Sequence, residues 1–341
     1  MARTVFAAFV AAGVALGVGG VANAAPRSLF VANFNSPGSN GGSIESFALG
    51  ATGNVAPLTY IGGDASGLTN PSTVAVDAAG EAFTIAGTFS GSPAIAVYAA
   101  GATGNVPPAR VITDANPSHF IFNVAADAAG YAYALYETTD GKQNGIDVFA
   151  PGASGVSTPV RTISGKRALL DPISTIVEIA VDANGDLWWF CDGEVNTERL
   201  VEYAPGASGN AKPVRDIEGS LAFPQIVLGF AVDERGTVFA GGGISIARCR
   251  TCRTGKGESV EVFAPGQSGN VRPAREMRAD CLPNCTPVAI ASNRLFFVAE
   301  IGLTTPAILA YDTRGRGVLH PVQTIEGAAT GLDDPLFAAV H

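Results

Sequence analysis

Four of the five cysteines of this chain are spaced so that they could act together. Cys249 and Cys252 form a C-x-x-C pair, and Cys281 and Cys285 form a second pair further along the chain. Two such pairs suit a zinc site, in which four thiolates surround the metal, or a set of disulfide bonds. We predict two disulfides, because the chain starts with an export signal, and three pairings remain possible. The fifth cysteine, Cys191, is expected to be buried at the end of a strand.

Other residue patterns that could do chemistry are weak. The stretch at residues 182–186 begins like a calcium loop, but its sixth place lacks the glycine and its twelfth, Gly193, lacks the glutamate. We interpret it as a tight turn, since the same place in other repeats reads Asp-Ala-Ala-Gly. The three histidines, His119, His320 and His341, show no metal-ligand spacing, and no nucleophile elbow or phosphate loop occurs. We therefore expect no catalytic constellation, no metal and no cofactor.

The elements that must position these residues follow from an internal repeat. The stretch at residues 203–213, YAPGASGNAKP, has close copies throughout the chain, and we name it the anchor stretch. The copies recur at intervals of about fifty residues, which is typical of a repeat architecture. The aromatic residues that open the successive copies are Phe47, Tyr98, Phe149, Tyr203, Phe263 and Tyr311.

Each repeat unit contains four short strand patterns. A buried strand such as residues 74–76 runs into an Asp-x-x-Gly sequence, whose aspartate and glycine favour a tight turn. A second strand, rich in aromatic and β-branched residues, follows the turn. The third strand leads into the anchor stretch, and the fourth comes after it. Four short strands joined by turns, with no helical period, are typical of a propeller blade. We therefore predict an all-β propeller.

The two ends of the chain complete one blade between them. After the last anchor stretch only one further strand follows, at residues 336–340, and it has no sequential partner. The N-terminal part supplies three strands, beginning with residues 29–33 and 43–47, without an inner strand before them. Ring closure protects the strand edges, whereas an open solenoid would need polar caps. The count predicts a six-bladed β-propeller of four-stranded blades, the last closed by the N- and C-terminal strands.

The sequence Pro-x-x-x-Ala-Val-Asp-x-x-Gly, followed by an apolar strand, resembles the NHL-type repeat of six-bladed β-propellers. Residues 71–85, 172–190 and 224–239 carry the resemblance, which extends over essentially the whole mature chain. It implies that the Asp-x-x-Gly turns and the anchor stretches lie on one face of the ring. The connections between second and third strands, and those between blades, would lie on the opposite face, which we name the loop face. This repeat specifies blades rather than chemistry.

Composition and charge narrow the choice of partners. The formal net charge is −9 and the isoelectric point is about 4.9, which argues against nucleic acid, because its binding needs clustered lysine and arginine. Residues 1–24 have the positive start, apolar run and cleavage pattern of a signal peptide, so residues 25–341 would form the propeller. We expect a monomer that is secreted or periplasmic and has no membrane contact after cleavage.

A candidate ligand site comes from aligning the inner strands. At the position four residues before the turn aspartate, the polar residues are Thr73, Asn123 and Glu178. They resemble the carboxylate and amide sites of propeller lactonases, although the other aligned positions carry no ligand group. We interpret them as a small-ligand site or as water-bonded lining of the channel.

Two hypotheses for function follow. The first is a secreted module that binds a protein or small molecule at the loop face. The alternative is a metal-dependent propeller hydrolase or lyase with its site in the central channel.

Overall fold

The computed structural model describes residues 27–34, 41–86, 94–170, 177–191, 198–224, 227–241, 258–280, 285–291, 293–299 and 306–341. Their backbone is strand and turn, apart from two short 3₁₀ helices at Asp64–Ser66 and Ala328–Thr330. Within these ranges, no helix has the length and apolar character needed to cross a membrane. Six sheets surround a central channel, which confirms the predicted all-β, six-bladed propeller. We number the blades from the first complete one and label the strands of each blade a to d from the channel outwards.

Blades 1 to 3 follow one another along the chain. Blade 1 has strands Ala75–Val76, Ala82–Ala86, Ala94–Tyr98 and Arg110–Asp114. Blade 2 has strands His119–Ala126, Ala132–Thr138, Asn144–Phe149 and Arg161–Ser164. Blade 3 has strands Val177–Val181, Leu187–Cys191, Arg199–Tyr203 and Arg215–Glu218.

Blades 4 to 6 complete the ring. Blade 4 has strands Gly229–Val232, Val238–Gly241, Glu258–Phe263 and Arg275–Ala279. Blade 5 has strands Cys285–Ala291, Arg294–Ala299, Ala307–Asp312 and Gln323–Glu326. Blade 6 takes strand a from the C-terminal part, Pro335–Val340, and strands b to d from the N-terminal part, Ser28–Asn33, Ser43–Ala48 and Thr59–Ile61.

The junction of the two chain ends closes the ring in the predicted way. Leu29 pairs with Val340, and the antiparallel ladder continues inwards along both strands. The His341 N–H donates to the Ser28 carbonyl at 2.9 Å, just beyond the ladder. Blade 6 therefore contains one strand from the C-terminal part and three from the N-terminal part, as the strand count predicts.

The Asp-x-x-Gly sequences form the tight turns between strands a and b. The Oδ1 atom of Asp77 accepts from the backbone N–H groups of Ala79 at 3.0 Å and Glu81 at 2.9 Å. Gly80 has φ of +86°, a backbone conformation that favours glycine. Asp182 makes the same two bonds to the backbone, in agreement with its interpretation as a turn residue.

The anchor stretch of each blade reaches over to the blade before it. The Gly104 N–H of blade 1 donates to the Tyr60 carbonyl of blade 6 at 2.5 Å. The Gly209 N–H of blade 3 donates in the same way to the Thr162 carbonyl of blade 2 at 2.6 Å. These glycines form parallel bridges with strand d of the preceding blade. In blades 2 and 5 the contact lengthens into the short strands Gly155–Ser157 and Val318–Leu319, which add a fifth strand to the preceding sheet.

An asparagine follows the bridging glycine in four of these stretches, and we call each such pair a Gly-Asn latch. The side-chain carbonyl of Asn105 accepts from the Ala65 N–H at 2.7 Å, and that of Asn210 accepts from the Arg167 N–H at 2.7 Å. Both N–H groups lie in the connection that leaves strand d of the preceding blade. The corresponding bonds of the other two latches join Asn54 to Ala329 and Asn270 to Leu221.

The hydrophobic core lies between neighbouring blades. Trp189 packs with Leu135 in the cluster between blades 2 and 3, whereas Trp188 packs with Phe230 in the cluster between blades 3 and 4. Both indole rings are fully buried. Adjacent residues of a strand point to opposite faces of the sheet, so this strand contributes a large aromatic group to each interface. The two tryptophans therefore pack between blades on opposite faces of their sheet.

Candidate functional site

A cavity lies along the axis of the ring. Its outer part, the mouth, has a volume of about 360 Å³ and opens among the Asp-x-x-Gly turns. Its inner part has a volume of about 180 Å³ and is lined by strand a of every blade. The two parts meet at a ring of aliphatic side chains, one from each blade, which we call the throat. The throat consists of Val76, Ala126, Val181, Val232, Ile290 and Val340.

Among the described residues that line the inner part of the cavity, Glu178 is the one with a polar side chain. Its exposed fraction is 5%, and the Phe230 N–H of blade 4 donates to its Oε2 atom at 3.2 Å. No lysine, arginine or histidine of the described residues forms an ion pair with it. Burial raises the pKa of Glu178 well above its ordinary value, although the bond from Phe230 lowers it. The group therefore keeps its proton at a pH where an exposed carboxyl is ionised.

The other two predicted site residues, Thr73 and Asn123, are buried beside the channel but do not line its cavity. The Thr73 hydroxyl donates to the Val124 carbonyl of blade 2 at 3.3 Å. Asn123 lies where the pairing of strands a and b of blade 2 shifts its register. Thr73 and Glu178, which have the same position in their repeats, each form a hydrogen bond with the backbone of the next blade around the ring. Of the three predicted residues, the structure places only Glu178 at the cavity wall.

The mouth of the channel carries an excess of negative charge. The Arg27 guanidinium lies 3.9 Å from the Glu234 carboxylate, and both side chains are more than half exposed. Exposed ion pairs of this kind are weak, so the pair leaves the mouth open to other ions. A rim of this charge attracts cations. The charged or titratable residues that line the mouth are Asp77, Asp182, Asp233, Glu234, Arg27 and His341.

A second polar cluster joins blades 1 and 2 on the loop face. The Nδ1 atom of His119 lies 2.7 Å from Oδ2 of Asp147 and 3.0 Å from Oδ2 of Asp114. The ring of Tyr136 stacks on the imidazole, with centroids 3.5 Å apart. The Thr162 hydroxyl donates to the other oxygen of Asp147, whose side chain is fully buried. Strands b, c and d of blade 2 thus hold the imidazole against the end of blade 1.

Hydrogen bonds fix the tautomer of His119. The side-chain carbonyl of Asn116 accepts from the Ser118 N–H at 3.0 Å, so its amide group donates to His119 Nε2, 2.8 Å away. Nδ1 therefore carries the proton and donates to the two carboxylates. A metal ion on Nδ1 would leave a protonated Nε2 facing the amide group, so the donors of this cluster fit a shared proton better than a metal. Burial and the neighbouring Asp114 raise the pKa of Asp147 to about 6.

Glu45 in blade 6 occupies the same place in its strand as Asp147 in blade 2, two residues before the aromatic residue of the anchor stretch. It is fully buried, and the Ser43 hydroxyl donates to its Oε1 atom at 3.2 Å. Its Oε2 atom has no hydrogen-bond partner in the described part of the chain. Burial raises the pKa of Glu45 to about 7. A third acid at this place, Glu261 in blade 4, is also buried.

These acids alternate with tyrosines around the ring. Blades 2, 4 and 6 open their anchor stretch with phenylalanine and carry the acid, whereas blades 1, 3 and 5 open it with tyrosine. The Tyr98 hydroxyl donates to the Ser66 carbonyl at 2.5 Å, in the connection that enters its blade. Tyr203 bonds to Ala168 and Tyr311 to Asp280 in the same way. These acids are not among the site residues predicted from the sequence. The alternation of phenylalanine and tyrosine in the repeat is the sequence pattern that indicates them.

Most of the cysteine set falls outside the described residues. Cys249, Cys252 and Cys281 lie there, and only the backbone of Cys285 is described, at the start of strand a of blade 5. The two disulfides therefore stay a prediction. Cys191 is buried at the end of strand b of blade 3, as expected.

The four-stranded blades and their closure by both chain ends define a six-bladed β-propeller. No protein-family model and no curated protein matches the chain. Among solved structures, a protein of unknown function from Bacteroides caccae is similar, with 11% identity and a TM-score of 0.56, over 92% of this chain and 98% of that one. TolB from Acinetobacter baumannii is similar with 10% identity and a TM-score of 0.50, over 93% of this chain and 67% of that one. At such identities the likeness extends to the fold alone.

Proposed function

We propose that this protein is an exported β-propeller that binds a small ligand in its central channel, entering from the mouth. The observation that carries the proposal is the pair of adjoining cavities, which share the throat residues and lie between the acidic mouth and Glu178. Cavities of a few hundred Å³ with apolar walls and a few polar groups are typical of small-molecule sites. Among the described residues, this cavity supports a ligand site at the channel rather than at the loop face.

We take binding rather than catalysis as the function. The throat offers aliphatic contact from every blade, which suits a ligand held by desolvation. The buried carboxyl of Glu178 adds one polar contact that can orient the ligand. We also propose that the protein acts as a monomer and that its blades are of the NHL type, on the motifs at residues 71–85, 172–190 and 224–239.

The test blocks the throat by a substitution on an inner strand and leaves the outer strands of the blades unchanged. Val232→Trp adds a large ring at the throat, whereas Val214→Trp is the matched control, because the Val214 side chain is 57% exposed after the blade 3 anchor stretch. A charge-diverse set of small compounds is screened by saturation-transfer NMR on the wild-type protein. We expect the ligands found to lose binding to Val232→Trp by at least about tenfold and to keep it in Val214→Trp. Equal binding to both variants, each folded by circular dichroism, would refute a channel site.

The alternative is a metal-dependent hydrolase or lyase that uses the same channel. It is favoured by the carboxyl of Glu178 at the cavity wall. If calcium or zinc raises the melting temperature and Glu178→Ala abolishes that rise, a metal binds at this carboxyl. Turnover of any member of a lactone panel would then replace the binding proposal by the enzymatic one.

Export and the disulfides form one further part of the proposal. The signal-peptide pattern of residues 1–24 supports cleavage before Ala25, and an oxidising compartment would favour pairing of Cys249, Cys252, Cys281 and Cys285. Intact mass of the protein from the secreted or periplasmic fraction is expected to begin at Ala25 and to lack four thiol hydrogens. Four free thiols, or bound zinc, would contradict the disulfide assignment.

A further inference from the structure

The channel presents acidic groups at two depths, with an apolar ring between them. The throat separates Glu178 from the carboxylates of the mouth, such as Asp182, which follows the same strand. Four residues of extended strand separate Glu178 from Asp182, a distance of roughly 13 Å. We propose that the ligand is an aliphatic diammonium ion, an assignment that rests on the binding function proposed for the channel. One ammonium group binds Glu178, the alkyl stem lies in the throat, and the second ammonium group remains among the mouth carboxylates.

Glu178 needs a partner of this kind. Its exposed fraction is only 5%, and the Phe230 N–H bonds to its Oε2 atom alone. The rest of the described wall around it is aliphatic or aromatic and supplies no hydrogen-bond donor from a side chain. An ammonium group brings both a positive charge and several N–H donors to the free Oε1 atom. A buried carboxylate that gains such a partner recovers part of the solvation that it loses on burial.

The chemistry of the wall selects an organic cation over a bare divalent ion. Calcium requires about six to eight oxygen ligands, and magnesium requires an octahedral set. The described wall of the inner cavity offers the oxygens of one carboxyl group among valine, alanine, isoleucine and phenylalanine side chains. An alkyl stem gains from contact with these side chains, whereas a hydrated ion loses water without replacement.

The mouth completes the site for the second ammonium group. Asp182 is committed on both oxygens, since Oδ1 accepts from the turn backbone and Oδ2 accepts from the Trp188 indole N–H at 3.1 Å. Asp233 uses Oδ1 for the Arg235 and Thr237 N–H groups, which leaves Oδ2 for the ligand. Among the described residues, the Glu234 carboxylate has only the weak, exposed ion pair with Arg27. Asp233 and Glu234 are therefore the mouth residues that we assign to the second ammonium group.

Binding releases a proton, which gives the proposal a distinctive readout. Below the raised pKa of Glu178, the carboxyl enters the reaction protonated and the diammonium ion arrives charged. The products are then the carboxylate–ammonium pair and one proton in solution. Affinity should rise with pH until the amine itself loses its charge. Calorimetry in buffers of different ionisation enthalpy measures the proton count directly.

The experiment uses the full mature protein with putrescine, cadaverine and hexamethylenediamine, and with n-butylamine and n-butanol as matched controls. We expect the diamines to bind, n-butylamine to bind at least about tenfold more weakly than the best diamine, and n-butanol to give no signal. Glu178→Gln keeps the shape of the side chain and an acceptor for Phe230, and should weaken diamine binding at least about tenfold and abolish proton release. The double variant Asp233→Asn with Glu234→Gln should bring the best diamine down to the affinity of n-butylamine.

The outcomes separate this inference from the proposed function. If compounds of another class depend on the throat in the Val232→Trp test while no diamine binds, the channel function stands and the diammonium assignment is wrong. Diamine binding that is equal in the wild type and Glu178→Gln would overturn the role of Glu178. If neither diamines nor any other compound depends on the throat, both proposals are wrong. Glu326→Gln, at an exposed position on the outer strand of blade 5, is the control substitution and should leave binding unchanged.

Discussion

Glu45 shows how a single buried carboxyl group makes the stability of the propeller depend on pH. The folded protein raises the pKa of Glu45 from 4.5 to about 7, because the side chain is withdrawn from water. The folded state therefore holds the proton more tightly than the unfolded state does. This contribution to stability is fully present below pH 4.5 and is lost as the pH rises through about 7. Over that interval the loss amounts to about 3 kcal/mol in the free energy of unfolding.

Replacing Glu45 with glutamine should remove this dependence. The amide keeps an acceptor for the Ser43 hydroxyl but cannot ionise, so the variant should be more stable than the wild type above pH 7 by about 2 kcal/mol, after about 1 kcal/mol for an unpaired amide group. Urea unfolding between pH 4 and 9 measures the difference. The exposed Glu326→Gln is the control and should follow the wild-type profile. A Glu45→Gln profile parallel to that of the wild type would show that the carboxyl is already satisfied.

Two other buried acids contribute to the same dependence of stability on pH. The pKa of Asp147 is raised to about 6 by burial and by Asp114, and that of Glu178 is raised well above its ordinary value by burial. Both shifts have the same sign as that of Glu45, so the Glu45 variant should still lose some stability as the pH rises. The channel ligand proposed above would reverse the part that belongs to Glu178, because its ammonium group stabilises the ionised form.

The Gly-Asn latch explains why the anchor stretch is repeated, because it bonds each blade that has it to the preceding blade. A glycine-rich turn between strands c and d needs no particular side chain to close a hairpin. The asparagine instead bonds to a backbone N–H of the preceding blade, as Asn210 does with Arg167. The positive φ of the bridging Gly209, +62°, lets the backbone approach strand d of that blade. Each latch therefore fixes one blade against the preceding one beside its outer strand.

Removing one latch should cost a measurable but small part of the stability. Asn210→Ala deletes the bond to the Arg167 N–H and should lower the free energy of unfolding by about 1 kcal/mol. Val156→Ala is the matched control, because the same place in the blade 2 stretch carries a valine that is 78% exposed. Its effect should stay within about 0.5 kcal/mol. Urea titration decides between them, and an Asn210→Ala variant as stable as the control would mean that the latch bond is replaced by water without loss.

The sequence predicts features that depend on neighbours in the chain. The repeat spacing, the Asp77 type of turn and the alternation of Trp188 and Trp189 are local, and the structure agrees with each of them. The latches escape such reasoning because Asn105 and its partner Ala65 belong to different blades. The same holds for the His119 cluster, in which Asp114 belongs to blade 1 and Asp147 lies two strands further along blade 2.

The candidate channel residues show where alignment of repeats stops being reliable. The alignment treats every inner strand as regular, so it places Thr73, Asn123 and Glu178 at one height. In blade 2 the pairing of strands a and b is regular from Ala126 to Asn123 and shifts only beyond Asn123, yet Asn123 does not line the cavity, so equal spacing from the turn does not by itself place a side chain at the wall. Whether a side chain lines a cavity also depends on how closely the opposite inner strands approach, and one repeat contains no information about that distance. The acidic mouth is visible in sequence only after the turns are known to meet on one face.

Ring closure is the property that belongs to the whole molecule. Strand a of blade 6 comes from the C-terminal part of the chain and pairs with the N-terminal strand b, so every other blade–blade contact is held within a closed circle. Val31 and Ala32 of strand b are fully buried, and their hydrophobic clusters include side chains of this last strand. Deleting residues 335–341 would leave blade 6 with an open edge and exposed apolar surface. Such edges promote pairing between molecules, so the truncated protein should unfold or self-associate.

A circular permutant separates the need for the strand from the need for the chain end. In blade 1 the sequence Asp-Ala-Ala-Gly joins Val76 to Glu81, and Val340 and Ser28 occupy the corresponding places in blade 6. A protein in which Asp-Ala-Ala-Gly links Val340 to Ser28, with new ends between Ala100 and Gly101, should therefore fold to the same ring. Both residues at the new ends are exposed, so we expect a melting temperature within about 5 °C of the wild type. The truncated protein should lose its cooperative transition in the same calorimetric scan. A truncated protein that melts like the wild type would show that the stability of the ring does not depend on the pairing of Leu29 with Val340. A permutant that fails to fold would show that Asp-Ala-Ala-Gly cannot join strands a and b of blade 6.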